Sequence, residues 1–163
     1  MNWEALSAIG EIVGALAVVL TLVYLAFQVR YARNATIDQN RLTRSTAIRE
    51  IILATANNDD LRVSQMKSWG LDQYYESLAE ELGITGTEAS RNDWANAVYL
   101  WMYWGQWNTT HDPKDLRELE NVITKYLSMP GPRHTWDVSP VGKVFMDEGF
   151  VEFVDGLLAK HSI

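Results

Sequence analysis

The sequence predicts an all-α protein: an N-terminal transmembrane helix that continues into a stalk, followed by a small helical bundle. Three observations predict it. An apolar run of 25 residues, Ala5 to Val29, carries a single charge, Glu11. After it, no stretch alternates β-branched and polar residues as a half-buried strand requires. From Asn57 onward, cap and break signals for helices recur at short intervals. The expected division is 1–29 for the membrane helix, 30–56 for a basic juxtamembrane stalk and 57–163 for an acidic cytoplasmic domain.

As a helix, the apolar run reaches roughly 37 Å, enough to cross a hydrocarbon core of about 30 Å with some tilt. A soluble helix of that length shows a charged face, whereas here the face opposite the large aliphatics is small. A cleaved leader is disfavoured, because no Lys or Arg precedes the run. The basic residues follow it. Between positions 30 and 49 stand Arg30, Arg33, Arg41, Arg44 and Arg49 against one acid, Asp38. That asymmetry places the N-terminus outside and the remainder in the cytoplasm, with Arg30, Arg33, Arg41 and Arg44 at the lipid headgroups. Trp3 suits the outer interface, and Tyr24 and Tyr31 the inner one. Positions 57–163 hold 9 Lys and Arg against 17 Asp and Glu, so this part is repelled by the anionic surface that attracts the collar.

Ser7, Gly10, Gly14, Ala17, Thr21, Tyr24 and Gln28 recur at alternating spacings of three and four. They form one heptad seam, while Ile12, Val13, Leu16, Val19, Leu20, Val23 and Phe27 lie off it. Lipid is as apolar as leucine, so helices associate in it through close backbone approach and polar contacts, which such a seam supplies. Glu11 borders the seam near the outer end. An ionisable residue within a span is a candidate for ion or proton work, although at this depth it also reaches headgroups or water.

The bundle follows from its punctuation. No glycine or proline interrupts 28–56, so the membrane helix continues. Asn57 to Asp60 is a polar break with good cap types. A short helix ends at Gly70, and a second, Asp72 to Leu82, ends at Gly83. Thr85 with Glu88 has capping-box spacing and opens a tryptophan-rich helix, about Glu88 to Trp107. Asp112-Pro113 reads as a cap followed by a first-turn proline, and Leu116, Leu119, Ile123 and Leu127 make the next apolar face. Pro130-Gly131-Pro132 breaks that helix and leaves Arg133, His134 and Trp136 as a polar–aromatic cluster in a loop. Ser139-Pro140 starts another helix, and Phe150, Phe153, Val154, Leu157 and Leu158 mark the last.

This order of signals resembles an uncharacterised family of small bacterial membrane proteins with one N-terminal transmembrane helix. The resemblance is carried by Ala8-Ile9-Gly10-Glu11-Ile12-Val13-Gly14 and by Tyr24-Leu25-Ala26 with Gln28 and Arg30. Later pieces are similar too: the aromatic helix from Trp101 to Trp107, Pro130-Gly131 with Arg133 and Trp136, Ser139-Pro140 and Phe153-Val154-Asp155. The resemblance implies the topology and nothing more; a bacterial inner membrane is the expected location. It brings no activity and no catalytic residues.

Composition closes off several chemistries. The chain has no cysteine, which excludes a disulfide scaffold, thiolate metal sites and a Cys nucleophile. Net charge is −7, against broad nucleic-acid binding. His111, His134 and His161 lack metal-ligand spacing, so neither a metal nor a cofactor is expected. Phosphate-loop and nucleophile-elbow motifs are missing. Trp94, Tyr99, Trp101, Tyr103, Trp104 and Trp107 spread over more than one face of their helix, which supplies core and a surplus for a partner interface. The expectation is a non-enzymatic accessory or scaffold subunit in a homo-oligomer or larger membrane complex. Its alternatives are an oligomeric ion channel with Glu11 near the outer mouth, and a ligand-sensing or enzymatic helical domain.

Overall fold

Seven α-helices and one 3₁₀ turn make up the computed structural model, which describes residues 2–161; among these there is no strand. The helices are α1 (Trp3–Asn57), α2 (Asp59–Trp69), α3 (Asp72–Leu82), α4 (Gly86–Thr109), α5 (Pro113–Leu127), α6 (Pro130–Asp137) and α7 (Glu148–His161). The 3₁₀ turn covers Lys143–Phe145. The chain forms two compact units, Met1–Asn40 and Arg41–Ile163. The stalk expected over 30–56 is therefore divided: 30–40 belongs with the apolar helix, and 41–56 is part of the bundle. Helix α1 has no glycine or proline after Gly14 to interrupt it.

Local capping sets the bundle's joints. The Asn58 side chain accepts from the Leu61 N–H at 3.0 Å and starts α2. Gly70 and Gly83 end α2 and α3 at φ of 68° and 67°, where an L side chain is strained. Thr85 and Glu88 form the reciprocal box that opens α4, with bonds of 3.2 Å and 2.9 Å. Asp112 accepts from the Lys114 N–H at 2.7 Å ahead of Pro113. The Asp147 carboxylate accepts from the Phe150 N–H at 3.0 Å, which caps α7, and also from the Trp104 indole N–H.

Two joints differ from the expectation. Pro130-Gly131-Pro132 does not merely break a helix; Pro130 opens α6, because a first-turn proline lacks only an N–H that would be unpaired there anyway. Arg133, His134 and Trp136 therefore sit on a helix, not in a loop. Ser139-Pro140 starts no α-helix. The Ser139 hydroxyl accepts from the Val141 N–H at 3.0 Å, but its own proton goes to the Asp93 carboxylate on α4, and a turn and the 3₁₀ segment follow.

Helix α4 is the axis of the bundle. Its Leu100, Trp101, Tyr103 and Trp104 pack with Leu119, Ile123 and Leu127 of α5, Trp136 of α6, and Phe150, Val154, Leu157 and Leu158 of α7. Its Ala89, Trp94 and Ala97 pack with Ala56 of α1, Met66 of α2, and Tyr75, Leu78 and Ala79 of α3. Ile52 of α1 touches both clusters.

The 41–57 part of α1 approaches α4 closely at one point. The buried Ser45 hydroxyl donates to the Trp101 carbonyl at 2.7 Å. A Cβ on Gly105 would lie 2.5 Å from that hydroxyl oxygen and 2.9 Å from the Ser45 Cβ. Gly105→Ala is expected to push the two helices apart and cost about 1–3 kcal/mol. The check is a lower urea midpoint at an unchanged slope.

Candidate functional site

The first unit exposes its apolar surface. Every residue with a described side chain from Ser7 to Ile37 is exposed, and Ile12, Leu16 and Leu20 are 61%, 58% and 69% accessible. The segment is long and apolar enough to cross a membrane, and none of its most apolar window is buried. A core helix of a soluble bundle, equally apolar, would be covered. Ser7, Gly10, Gly14, Ala17, Thr21, Tyr24 and Gln28 are all exposed in this helix, as is Glu11. A Cβ on Gly10 or Gly14 would meet nothing within 4 Å, so no contact in the chain itself uses their small size. The Thr21 hydroxyl donates to the Ala17 carbonyl at 2.8 Å, which satisfies it within the helix.

The basic collar has two fates. Arg30 and Arg33 lie exposed on the first unit. Arg41 and Arg44 belong to the bundle. The Arg41 guanidinium donates to the Asn108 carbonyl at 3.0 Å, and that of Arg44 lies 4.4 Å from the centre of the Trp104 ring. A cation over an indole face is attracted by the ring quadrupole, so these two side chains are engaged by α4.

The aromatic residues expected to offer a partner interface are mostly interior. Trp94, Trp101, Tyr103 and Trp104 are buried, and Trp107 is half-buried against Phe150 and Phe153. Only Tyr99 of the six is exposed, and it lies beside Tyr126. The reason is the position of α4: neighbours surround it, so rings on several faces all find core.

A polar centre lies inside the bundle. Asp93, 2% exposed, accepts from Tyr75 Oη at 3.0 Å and Ser139 Oγ at 2.5 Å on one oxygen, and from Thr135 Oγ1 at 2.7 Å on the other. Asn96 extends the network, donating to Thr135 Oγ1 at 3.1 Å and accepting from Tyr126 Oη at 3.0 Å. Burial pushes the Asp93 carboxyl above the usual carboxylate range; the three hydroxyl donors oppose the shift without reversing it. Burial, then the adjacent Asp93, pushes the Tyr75 hydroxyl up as well. His134 Nε2 lies 3.0 Å from Tyr74 Oη, with the two rings stacked. A cleft of about 210 Å³ is lined by Asp93, Asn92, Asn96, His134, Thr135 and Glu81, among others. All three hydroxyls donate to the same carboxylate, Asp93, which holds them in place. The arrangement ties α3, α4, α6 and the 139 turn together. Among the described residues, no group of three His, Asp or Glu side chains comes together as a metal site.

A second buried charge joins helix ends. Arg62 is fully buried. Its guanidinium donates to the Ala56 carbonyl at 2.6 Å and the Thr55 carbonyl at 3.5 Å, both in the last turn of α1. It also donates to Ser90 Oγ at 2.9 Å, the Thr87 carbonyl at 3.3 Å and Asp59 at 2.6 Å. Asp59 in turn accepts two bonds from Arg91. Those bonds from Arg91 and Arg62 hold the Asp59 carboxyl below the usual range.

Neither Asp93 nor Arg62 stands out in a motif, but each carries a local signal. Asp93 is a lone charge among small residues at helical spacing, Ala89, Ser90 and Ala97, all of which are buried. Arg62 is a cation in the first turn of its helix, where the dipole disfavours it. It serves the carbonyl end of the preceding helix instead.

Compared with known protein families, curated proteins and solved structures, the chain matches none.

Proposed function

We propose that the chain is a single-pass membrane protein of a bacterial inner membrane, with its N-terminus outside and its helical domain in the cytoplasm. It acts as a non-enzymatic accessory or scaffold subunit. The observation that carries this reading is the uncovered apolar helix: residues 7–37 present large aliphatic side chains that nothing in the chain buries. A bilayer accounts for that surface, and a collar with Arg30 and Arg33 on its C-terminal side supports the orientation. The seam of Ser7, Gly10, Gly14, Ala17, Thr21, Tyr24 and Gln28 supports assembly. A mid-helix glycine costs about 1 kcal/mol relative to alanine, and nothing in this chain needs two of them there. A neighbouring membrane helix does.

The test is to extract the tagged protein from its membrane in mild detergent and measure the mass and composition of what emerges. A multiple of 18.6 kDa, or stoichiometric foreign subunits, is expected. Replacing both Gly10→Leu and Gly14→Leu should return the protein to single copies while leaving the domain's unfolding midpoint unchanged. Recovery of the wild type as a monomer alone, or assembly indifferent to both substitutions, overturns the seam. The cysteine-free sequence also allows a direct topology check. Asn2→Cys should react with a membrane-impermeant maleimide added outside intact cells, and failure to react there while reacting after lysis overturns the orientation.

A further inference from the structure

The bundle has a further cavity, of about 400 Å³, lined by residues of α1, α2 and α4 with Val141 and Phe145. Its floor is Trp94, Ala97, Trp101 and Val141, all buried. Its rim is Ile51 of α1, Trp69 of α2 and Phe145 of the 3₁₀ turn, which are 64%, 50% and 59% exposed. Three large apolar side chains from three separate elements thus stand in water around one opening. The volume falls in the range of small-molecule sites.

Three features of the lining define what fits. First, no lining residue is charged. An ion entering would lose its hydration with no countercharge to replace it, so the occupant is neutral. Second, the walls are flat rings. Trp69 stacks on Trp94 with centroids 5.6 Å apart and planes 25° from parallel, and Trp101 and Phe145 complete the surround. Such walls favour a planar occupant through offset-stacked and edge-to-face contacts. Third, two polar atoms of the lining are buried without a hydrogen-bond partner: Gln65 Oε1, an acceptor, and Trp94 Nε1, a donor. A buried acceptor without a partner is destabilising. A ligand that brings an N–H or O–H to it recovers that cost.

We propose that this cavity binds a neutral, planar aromatic small molecule carrying one hydrogen-bond donor, an indole or a phenol in class, with the donor on Gln65 Oε1 and the ring against Trp69 and Trp94. The inference goes beyond the accessory role and does not depend on the membrane reading. It gives the helical domain a ligand-responsive site.

The test uses the full chain in lipid nanodiscs, with isoleucine and valine methyls labelled for NMR, and two probes: indole and 1-methylindole. They share a ring system, but the second has no donor. Indole is expected to shift the Ile48, Ile51, Ile52 and Val141 methyl signals saturably, with 1-methylindole about tenfold weaker. Gln65→Leu should abolish the difference between the probes. Ile51→Glu, at an exposed rim position that does not threaten folding, should weaken both by placing a charge at the mouth. The proposal is overturned if neither probe gives saturable shifts on the folded protein, or if the two bind equally to the wild type. It is equally overturned if indole affinity is indifferent to Ile51→Glu, since the shifts would then report partition into lipid. Failure of the detergent-mass test leaves these readouts unaffected, because the probes report on the bundle alone.

Discussion

Arg62→Ala is expected to destabilise the helical domain by about 3–5 kcal/mol, a large part of the roughly 5–15 kcal/mol that holds a typical domain folded. The substitution removes the largest fully buried cation in the bundle and every bond it makes. The Ala56 carbonyl is left in a dry interior without its donor, as is the Ser90 hydroxyl's acceptor role. Loss of the long side chain also opens a cavity at the meeting of α1, α2 and α4. Arg62→Lys should recover only part of the loss, because an ammonium is a point donor and cannot reach three separate sets of acceptors in a plane. The pair of Arg91 with Asp59 is half exposed and is expected to matter little by comparison. Urea unfolding followed by tryptophan fluorescence separates these outcomes. The Asp59 carboxyl is held low by both arginines. Its contribution is therefore present above the ordinary carboxylate range and lost as pH falls through the lowered folded value, and Arg62→Ala should make that acid limb shallower while Arg91, the larger cause, keeps part of it.

Asp93→Ala is the second large effect, about 2–4 kcal/mol. Three hydroxyls lose their acceptor at once. Thr135 retains a fallback in the Gly131 carbonyl, 3.2 Å away. The Tyr75 hydroxyl is buried, and the Trp94 indole beside it carries only a donor, so it cannot take the tyrosine proton. Asp93→Asn should cost less, because two hydroxyls can turn and accept from an amide. The pH dependence has the opposite sign to that of Asp59. Burial raises the folded carboxyl above its unfolded value, so its stabilising contribution is complete below the unfolded pKa and is lost as pH rises through the folded one. The stability gap between wild type and Asp93→Asn is thus widest in acid and narrows toward neutrality. Denaturant midpoints for both proteins, measured from acid to neutral pH, check the sign. His134, whose charge acts on Asp93, is the neighbour to neutralise in a parallel series.

What the sequence disclosed was mostly local. Thr85 with Glu88, Asp112 with Pro113, and the two helix-ending glycines each specify a joint through atoms within a few residues, and the structure has all of them. Ser139-Pro140 carries the same cap chemistry as Asp112-Pro113, and its Oγ accepts from the Val141 N–H, yet a turn and a 3₁₀ segment follow it; the Ser139 proton goes to Asp93, 46 positions away, a contact that only the fold assembles. The roles of Trp94, Trp101, Tyr103 and Trp104 were ambiguous for the same reason. Helical spacing gives the face a residue occupies, not which faces are covered, and α4 is covered nearly all round. Arg62 and Asp93 depend on partners that only the fold assembles.

The contact between Ser45 and the Trp101 carbonyl spans 56 positions, and this sets an order of events during synthesis. Ile48 and Ile52 leave the ribosome long before the helix they pack against. At about 5–20 residues per second, the wall formed by 41–57 waits roughly 3–10 s for α4 to emerge. Through that interval its apolar stripe is open to whatever is nearest, whether a chaperone, the lipid surface or another nascent copy. The domain's first element is thus also among its last to be secured.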